Sequence, residues 1–211
     1  MSFETGAVNL LDTIGNTPLV ALENLFSGYR AKVFAKLEFF NPTSSIKDRI
    51  VSHIVADAER TGQLPPGGTI VENTSGNTGA AIAMIAALNG YRAVLTMPDK
   101  VSKEKQAALT ALGAEIVVCP TNAVPGSADH SVQRARDIAA ETPNSFMINQ
   151  YDNPMNADAH YQTTGPEIWR QTGGTVDYFV AAGSTGGTIS GVGRYLKEQK
   201  PEVKVLMPDP I

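Results

Sequence analysis

One cysteine, Cys119, is all that this chain of 211 residues carries, so an intrachain disulfide and a cysteine-built metal site are both excluded. Cys119 reads instead as a buried strand thiol, the usual setting of a free cysteine. Long apolar runs are missing as well: the longest, around Ala80 to Leu88, is too short to span a bilayer. No run of lysine or arginine offers a surface to nucleic acid or an anionic membrane, and the formal net charge of −4 argues the same way. The most basic stretch, Lys100 to Lys105, is interrupted by Glu104 and reads as a solvated helix start. The opening residues, Met1 to Gly6, have neither the basic nor the apolar region of a secretory leader. A cytoplasmic protein without nucleic-acid or membrane partners is therefore expected. His53, His130 and His160 lack metal-ligand spacing and read as surface or packing residues, so no metal is expected.

What is present is an ordinary globular composition, 42% apolar, in a chain long enough for one generous domain or two small ones. From Ile46 onward helical and strand patterns alternate. Ile46, Ile50, Ile54 and Ala58 recur every fourth residue, with Val51 and Val55 widening the stripe and Gly62 as a stop. Strand Thr69–Glu72, helix Asn77–Asn89 ending at Gly90, and strand Arg92–Met97 follow. Ser102 caps a helix to Leu112, and Ala114–Cys119 is another apolar strand. The remainder reads as helix Ala128–Glu141, strand Phe146–Asn149, helix Ala157–Gln171, strand Val176–Ala182, helix Gly187–Glu198 and strand Val203–Met207. Short apolar strands separated by helices are the signature of βαβ units, so the fold class expected is α/β with parallel sheet.

Against that background one lysine and two glycine-and-hydroxyl stretches carry chemistry. The lysine stands in Asn41-Pro42-Thr43-Ser44-Ser45-Ile46-Lys47-Asp48-Arg49. Thr74-Ser75-Gly76-Asn77-Thr78-Gly79 and, much later, Gly183-Ser184-Thr185-Gly186-Gly187-Thr188 each join a strand to a helix. A lysine amine forms an imine with an aldehyde, and Gly/Ser/Thr loops at helix starts present N–H and hydroxyl donors to anions. An aldehyde bearing a phosphate, together with a substrate bearing a carboxylate, would use all three, a combination that describes pyridoxal phosphate holding an amino acid. The later loop is not a Walker A loop, since no Lys-Ser/Thr pair follows, and it lacks the spacing of a dinucleotide fingerprint.

These residues resemble the cysteine synthase and cystathionine β-synthase family of pyridoxal-phosphate enzymes. The resemblance also takes in Gly15-Asn16-Thr17-Pro18-Leu19, Met97-Pro98, Asn149-Gln150-Tyr151-Asp152-Asn153-Pro154 and His160 to Trp169, in the same order along nearly the whole chain. It implies fold type II, the tryptophan-synthase-β-like architecture of two parallel-sheet α/β domains. A smaller domain of residues 42–145 would be inserted into a larger one of residues 1–41 and 146–211, with the cofactor in the cleft. Lys47 is then the lysine that binds the cofactor, and Gly183, Ser184, Thr185, Gly186, Gly187 and Thr188 form the phosphate cup. Thr74, Ser75, Asn77, Thr78 and Gln150 bind the substrate carboxylate, and Asn77 also reaches the cofactor. Asp48 and Arg49 read as structural. Ser184 stands where the family usually has glycine, and Asn73 where it usually has proline, which is expected to loosen the loop slightly.

The family's core runs on for roughly another hundred residues, in keeping with a two-domain chain. The C-terminal part of the larger domain is therefore expected to be missing here, with the Ser or Thr that meets the pyridine nitrogen. Self-association, low stability and weak activity are expected of the short form, and a homodimer of the full-length form. The activity implied is β-replacement on serine or an O-activated serine (O-acetylserine or O-phosphoserine) by sulfide or a thiol. Cystathionine formation is the alternative within the family. A serine/threonine dehydratase is another, although Ser184 to Thr188 has fewer consecutive glycines than that class uses. A non-catalytic binding module or pseudoenzyme is the rival of a different kind.

Overall fold

The fourfold apolar spacing emerges as helix α1, Lys47–Arg60, in the computed structural model, which describes residues 9–208. Ile50, Val51, Ile54, Val55 and Ala58 form its buried face, and Gly62 follows at φ 76°, a left-handed turn that suits glycine. Strand β3, Thr69–Asn73, leads into α2, Asn77–Asn89, which Gly90 ends at φ 75°. Strand β4 (Arg92–Pro98), helix α3 (Lys103–Ala111), strand β5 (Glu115–Cys119), helix α4 (Ser131–Glu141) and strand β6 (Ser145–Met147) complete the first layered unit. The Ser102 hydroxyl caps α3 by accepting from Lys105 N–H, as the sequence indicated.

The four strands pair in parallel in the order β5-β4-β3-β6. Alternation along β3 and β4 divides the core. Ile70, Ala93, Leu95 and Met97 pack with α1 and α2, while Val71 and Val94 turn to Ala135 of α4 on the other face. Helix α2 is apolar on every side, and Ala81 to Ala86 are all buried, so it lies inside the layer rather than over it. Strand β6 joins this sheet through Met147, so the expected crossing between residues 145 and 146 falls within a strand. Cys119 is buried at the end of β5, and burial pushes its thiol pKa up.

The C-terminal third departs from the expected pattern in detail. Helix α4 begins three residues late, because residues 124–130 turn twice: Val124 O accepts from Ser127 N–H, and Ser127 O from His130 N–H. The helix expected over 157–171 starts at Met155 and is not uniform. Helix α5, Met155–Ala159, passes through a π-type turn, His160–Thr164, into α6, Gly165–Gln171. Gly165 N–H reaches back five residues to His160 O. The physical cause is Pro166, which has no N–H for the normal bond to residue 162. Strand β7 (Tyr178–Val180) and strand β8 (Lys204–Leu206) form a short parallel pair, with α7, Gly187–Gln199, between them. Ile168, Val176, Val192, Leu196 and Val203 make a second core there, packed by Trp169.

Strands β1, Leu19–Ala21, and β2, Phe34–Lys36, pair antiparallel, an element absent from the sequence expectation. Three residues are too few for alternation to show. The N-terminal segment is fastened by a buried ion cluster. Arg49 of α1 grips Glu38 and Glu167 with nitrogen–oxygen distances of 2.7–2.9 Å, and Lys36 meets Glu167 at 2.7 Å. The Arg49 side chain is 1% exposed. Burial alone would raise the Glu167 carboxyl, but hydrogen bonds from Arg49 and then Lys36 hold it at about 2. No helix among the described residues is long and apolar enough to cross a membrane.

Candidate active site

Lys47 is the first residue of α1, and the turn before it is built by its neighbours. Asp48, fully buried, accepts from Thr43 N–H at 2.7 Å and from the Thr43 hydroxyl, and Ser45 Oγ accepts from Lys47 N–H at 3.2 Å. The Lys47 amine faces a cavity of about 430 Å³ with no acceptor from the described residues in reach. Burial lowers its pKa, which favours the neutral, nucleophilic form.

The cavity brings the separate stretches together. Thr74, Ser75, Asn77 and Thr78 line it from the β3–α2 loop, Gln150 from the turn after β6, and Ser184 and Thr185 from the β7–α7 loop. Gly186 and Gly187 line a smaller adjoining cavity of about 190 Å³, which shares Thr185 and Tyr151 with the first. Gly183 and Thr188 line neither. Gly183 packs against Met207, and the Thr188 hydroxyl lies 3.2 Å from His160 Nε2. Neither α2 nor α7 has a side-chain cap, although hydroxyls stand beside both starts. Their first-turn N–H groups therefore remain available at the positive ends of the two helix dipoles. None of the residues lining the larger cavity is acidic.

A network behind the lining fixes it. Thr78 Oγ1 donates to Gln150 Oε1 at 2.7 Å, so the Gln150 Nε2 protons are left for the cavity. Asn73, expected to loosen the loop, instead donates from Nδ2 to the carbonyl and hydroxyl of Thr96, both at 3.1 Å, and so ties the loop to β4.

The model of the family described as "Pyridoxal-phosphate dependent enzyme" matches residues 10–211. The chain belongs to this family. Among curated proteins it is 48% identical over 204 residues to a cystathionine beta-synthase of Apis mellifera, covering 96% of this chain and 40% of that protein. It is 45% identical over 200 residues to cysteine synthase B of Escherichia coli, covering 93% of this chain and 64% of the other. Against cysteine synthase 3 of Caenorhabditis elegans the identity is 44% over 201 residues, with 94% and 58% covered. The chain thus spans between 40% and 64% of the length of these three relatives.

The family's cofactor is pyridoxal phosphate, and the residues present fit it. An aldehyde needs an amine without a competing acceptor, which Lys47 supplies. A phosphate and a carboxylate need donors, which the two uncapped helix starts supply, and the lining of the larger cavity carries no acid, although Asp152 lines the smaller one beside Gly186 and Gly187.

Three supporting residues escaped the sequence reading. Glu72, 2% exposed in β3, accepts from Asn149 N–H at 2.7 Å and holds the turn that presents Gln150. Burial raises its carboxyl to about 7, against the pull of the Asn149 and Gln150 N–H groups. A charged residue in the apolar run Thr-Ile-Val-Glu-Asn was the legible sign of it. The sequence reads His160 as a surface or packing residue. It is buried, and besides packing it touches the Thr188 hydroxyl with Nε2 and the Thr164 hydroxyl with Nδ1 at 2.9 Å. Burial, then the Arg49 charge, lowers its pKa to about 4, so the ring is neutral near pH 7. Asn156 links two of the lining segments, and no local pattern announced it.

Proposed function

We propose that the protein catalyses pyridoxal-phosphate-dependent β-replacement on serine or an O-activated serine, with sulfide or a thiol as the incoming nucleophile. The observation that carries this reading is the convergence of Lys47, the α2 loop and the α7 loop on one non-acidic cavity. The names of the relatives, cysteine synthase and cystathionine beta-synthase, narrow the chemistry to products of that kind. Cysteine formation is the first reading, and cystathionine formation the second, since the curated relatives carry both names.

Lys47 Nζ would hold the cofactor aldehyde, and as a free amine it would take the proton from the substrate Cα. Burial lowers its pKa, which favours the neutral amine that both tasks need. When bound, pyridoxal phosphate supplies the electron sink for the pair left by that proton. Thr74, Ser75, Asn77 and Thr78, with Gln150, bind the substrate carboxylate and orient the Cα–H bond toward Lys47. Ser184 to Gly187 bind the cofactor phosphate with N–H and hydroxyl donors, while Gly183 and Thr188 flank that loop, Gly183 against Met207 and Thr188 against His160. The four-stranded unit from residue 42 and the C-terminal unit behave as the two walls of a cleft. The protein is further proposed to be cytoplasmic and to form a homodimer, and light scattering checks the oligomeric state.

The test is chemical. The chain is incubated with pyridoxal phosphate, reduced with borohydride and mapped by peptide mass, and O-acetylserine turnover with sulfide is then compared with serine plus homocysteine. Label on Lys47, absent from Lys47→Ala, and thioether or cysteine product are expected. A label on another lysine with activity retained in Lys47→Ala would overturn the assignment. Release of pyruvate as the main product without thiol would identify a dehydratase instead.

A further inference from the structure

Asn156, in the first turn of α5, is 3% exposed and joins two lining segments that are far apart in sequence. Its Nδ2 donates to the Gln150 carbonyl at 2.8 Å and to Thr185 Oγ1 at 2.9 Å. Its Oδ1 has no hydrogen-bond partner, the one buried side-chain polar atom of that kind among the described residues. An unpartnered buried acceptor destabilises a fold, so the carboxamide orientation needs a compensating reason. The opposite orientation would set Oδ1 against the Gln150 carbonyl oxygen, acceptor facing acceptor. The Gln150 carbonyl therefore fixes which end of the carboxamide meets Thr185.

That choice decides the direction of the Thr185 hydroxyl. A threonine oxygen has one proton and two lone pairs. Because Thr185 Oγ1 accepts from Asn156, its own proton stays free for an acceptor in the cavity it lines. Were Asn156 to present Oδ1 instead, the hydroxyl would donate inward and turn a lone pair toward the cavity. Gly187 completes the device: a Cβ there would collide with Asn156 Oδ1 and Cγ. The backbone at Gly187 is not in the left-handed region, so the glycine is needed for this close approach rather than for its φ. The orphan oxygen rests at the first residue of α7, where the positive helix end offsets part of its lost hydrogen bond.

We propose that Asn156 is a positioning residue that makes Thr185 a hydrogen-bond donor toward the cofactor phosphate and locks the Gln150 turn to that loop. The inference rests on the proposed roles of the β7–α7 loop and Gln150. It adds a residue that lines the smaller cavity beside Thr185 and couples the two anion sites through one carboxamide.

The experiment measures the dissociation constant of pyridoxal phosphate by absorbance titration of apoprotein for the wild-type chain, Asn156→Asp, Thr185→Ala and the double variant Asn156→Asp/Thr185→Ala. The ³¹P chemical shift of the bound phosphate and the melting temperature of each apoprotein are recorded in parallel. Aspartate has the size of asparagine but only accepts, so it takes the Thr185 proton and adds negative charge beside the phosphate. Asn156→Asp is expected to weaken binding at least tenfold, the scale of one hydrogen bond to a charged group, and to move the ³¹P signal. Part of the Asn156→Asp loss should vanish once Thr185 is alanine, giving a double variant weaker than Thr185→Ala by less than the single-variant factor. Wild-type affinity in Asn156→Asp, or losses that simply multiply, would overturn the positioning role. If Thr185→Ala itself binds as wild type, the phosphate-cup reading fails first. Gly187→Ala gives a second route, since it displaces the Asn156 carboxamide while leaving the residue in place. It too should weaken cofactor binding, and unchanged binding would count against the proposal.

Discussion

Replacing Arg49 by methionine should destabilise the protein by about 3–5 kcal/mol at neutral pH, the scale for removing one partner of a buried ion pair. The guanidinium is 1% exposed and meets both Glu38 and Glu167, whose side chains are 16% and 8% exposed. Methionine would leave Glu167 with Lys36 as its remaining cationic partner and Glu38 with the neutral donors of Thr17 and Asn41. The Glu167 carboxyl, which Lys36 and the Asn16 N–H also hold down, points to the same scale for the whole cluster. It is held at about 2 against an ordinary 4.5, and at about 1.4 kcal/mol per pKa unit this is roughly 3 kcal/mol. At 8% side-chain exposure, solvent screening takes off little of that. Because the folded-state pKa is depressed, this stabilisation is present above pH 4.5 and is lost as pH falls from there toward 2. Urea denaturation followed by circular dichroism at pH 7 and pH 4 is the assay. The variant should lose most of the cluster's contribution at pH 7 and show a shallower acid limb. Neutralising the acids as well, in Glu38→Gln/Arg49→Met/Glu167→Gln, should recover part of the loss, since uncompensated charge is its main cause. A loss below about 1 kcal/mol in Arg49→Met would refute the reasoning. Lys47 lies two residues from Arg49, so the cluster also anchors the helix start that presents the amine.

Glu72→Gln should remove a stability loss that the wild-type apoprotein suffers as pH rises from about 4.5 through 7. The raised carboxyl keeps its proton in the folded state over that window, and urea midpoints across pH report it. The His160 pKa, depressed to about 4, acts in the opposite direction: its stabilisation is present above pH 6.5 and is lost as pH falls toward 4. The two effects oppose one another between pH 4.5 and 6.5, so Glu72→Gln should expose a steeper acid limb, and an unchanged profile would contradict the Glu72 assignment. At the anion sites, Asn77→Ala should impair amino-acid binding more than cofactor binding, whereas Thr185→Ala should weaken the cofactor first. Each lost bond to a charged group is worth roughly one to two decades in affinity. A valine at Gly186, which lies at φ 81°, should also weaken the cofactor first, because a β-branched residue is strained there. Equal effects of the two loops on cofactor affinity would argue against the division of labour.

The sequence alone determined the parts whose causes are local. Helix α1 follows from its fourfold apolar spacing, α2 from small apolar residues ended by a left-handed Gly90, and β3 and β4 from apolar runs bounded by turns. The lysine segment and the two hydroxyl-rich loops were legible for the same reason, since each is a short contiguous string with its own chemistry. Tertiary structure decided what depends on residues far apart along the chain. Thr78 orients Gln150 across 72 positions, Arg49 clasps Glu167 across 118, and Asn156 meets Thr185 across 29. No periodicity or motif records such pairs, because each partner alone is an ordinary polar residue and only packing removes the water that would otherwise satisfy it. The π-type turn at His160–Thr164 lies between these cases: Pro166 is visible in the sequence, but the placing of His160 against Thr188 needed α7 to arrive beside it.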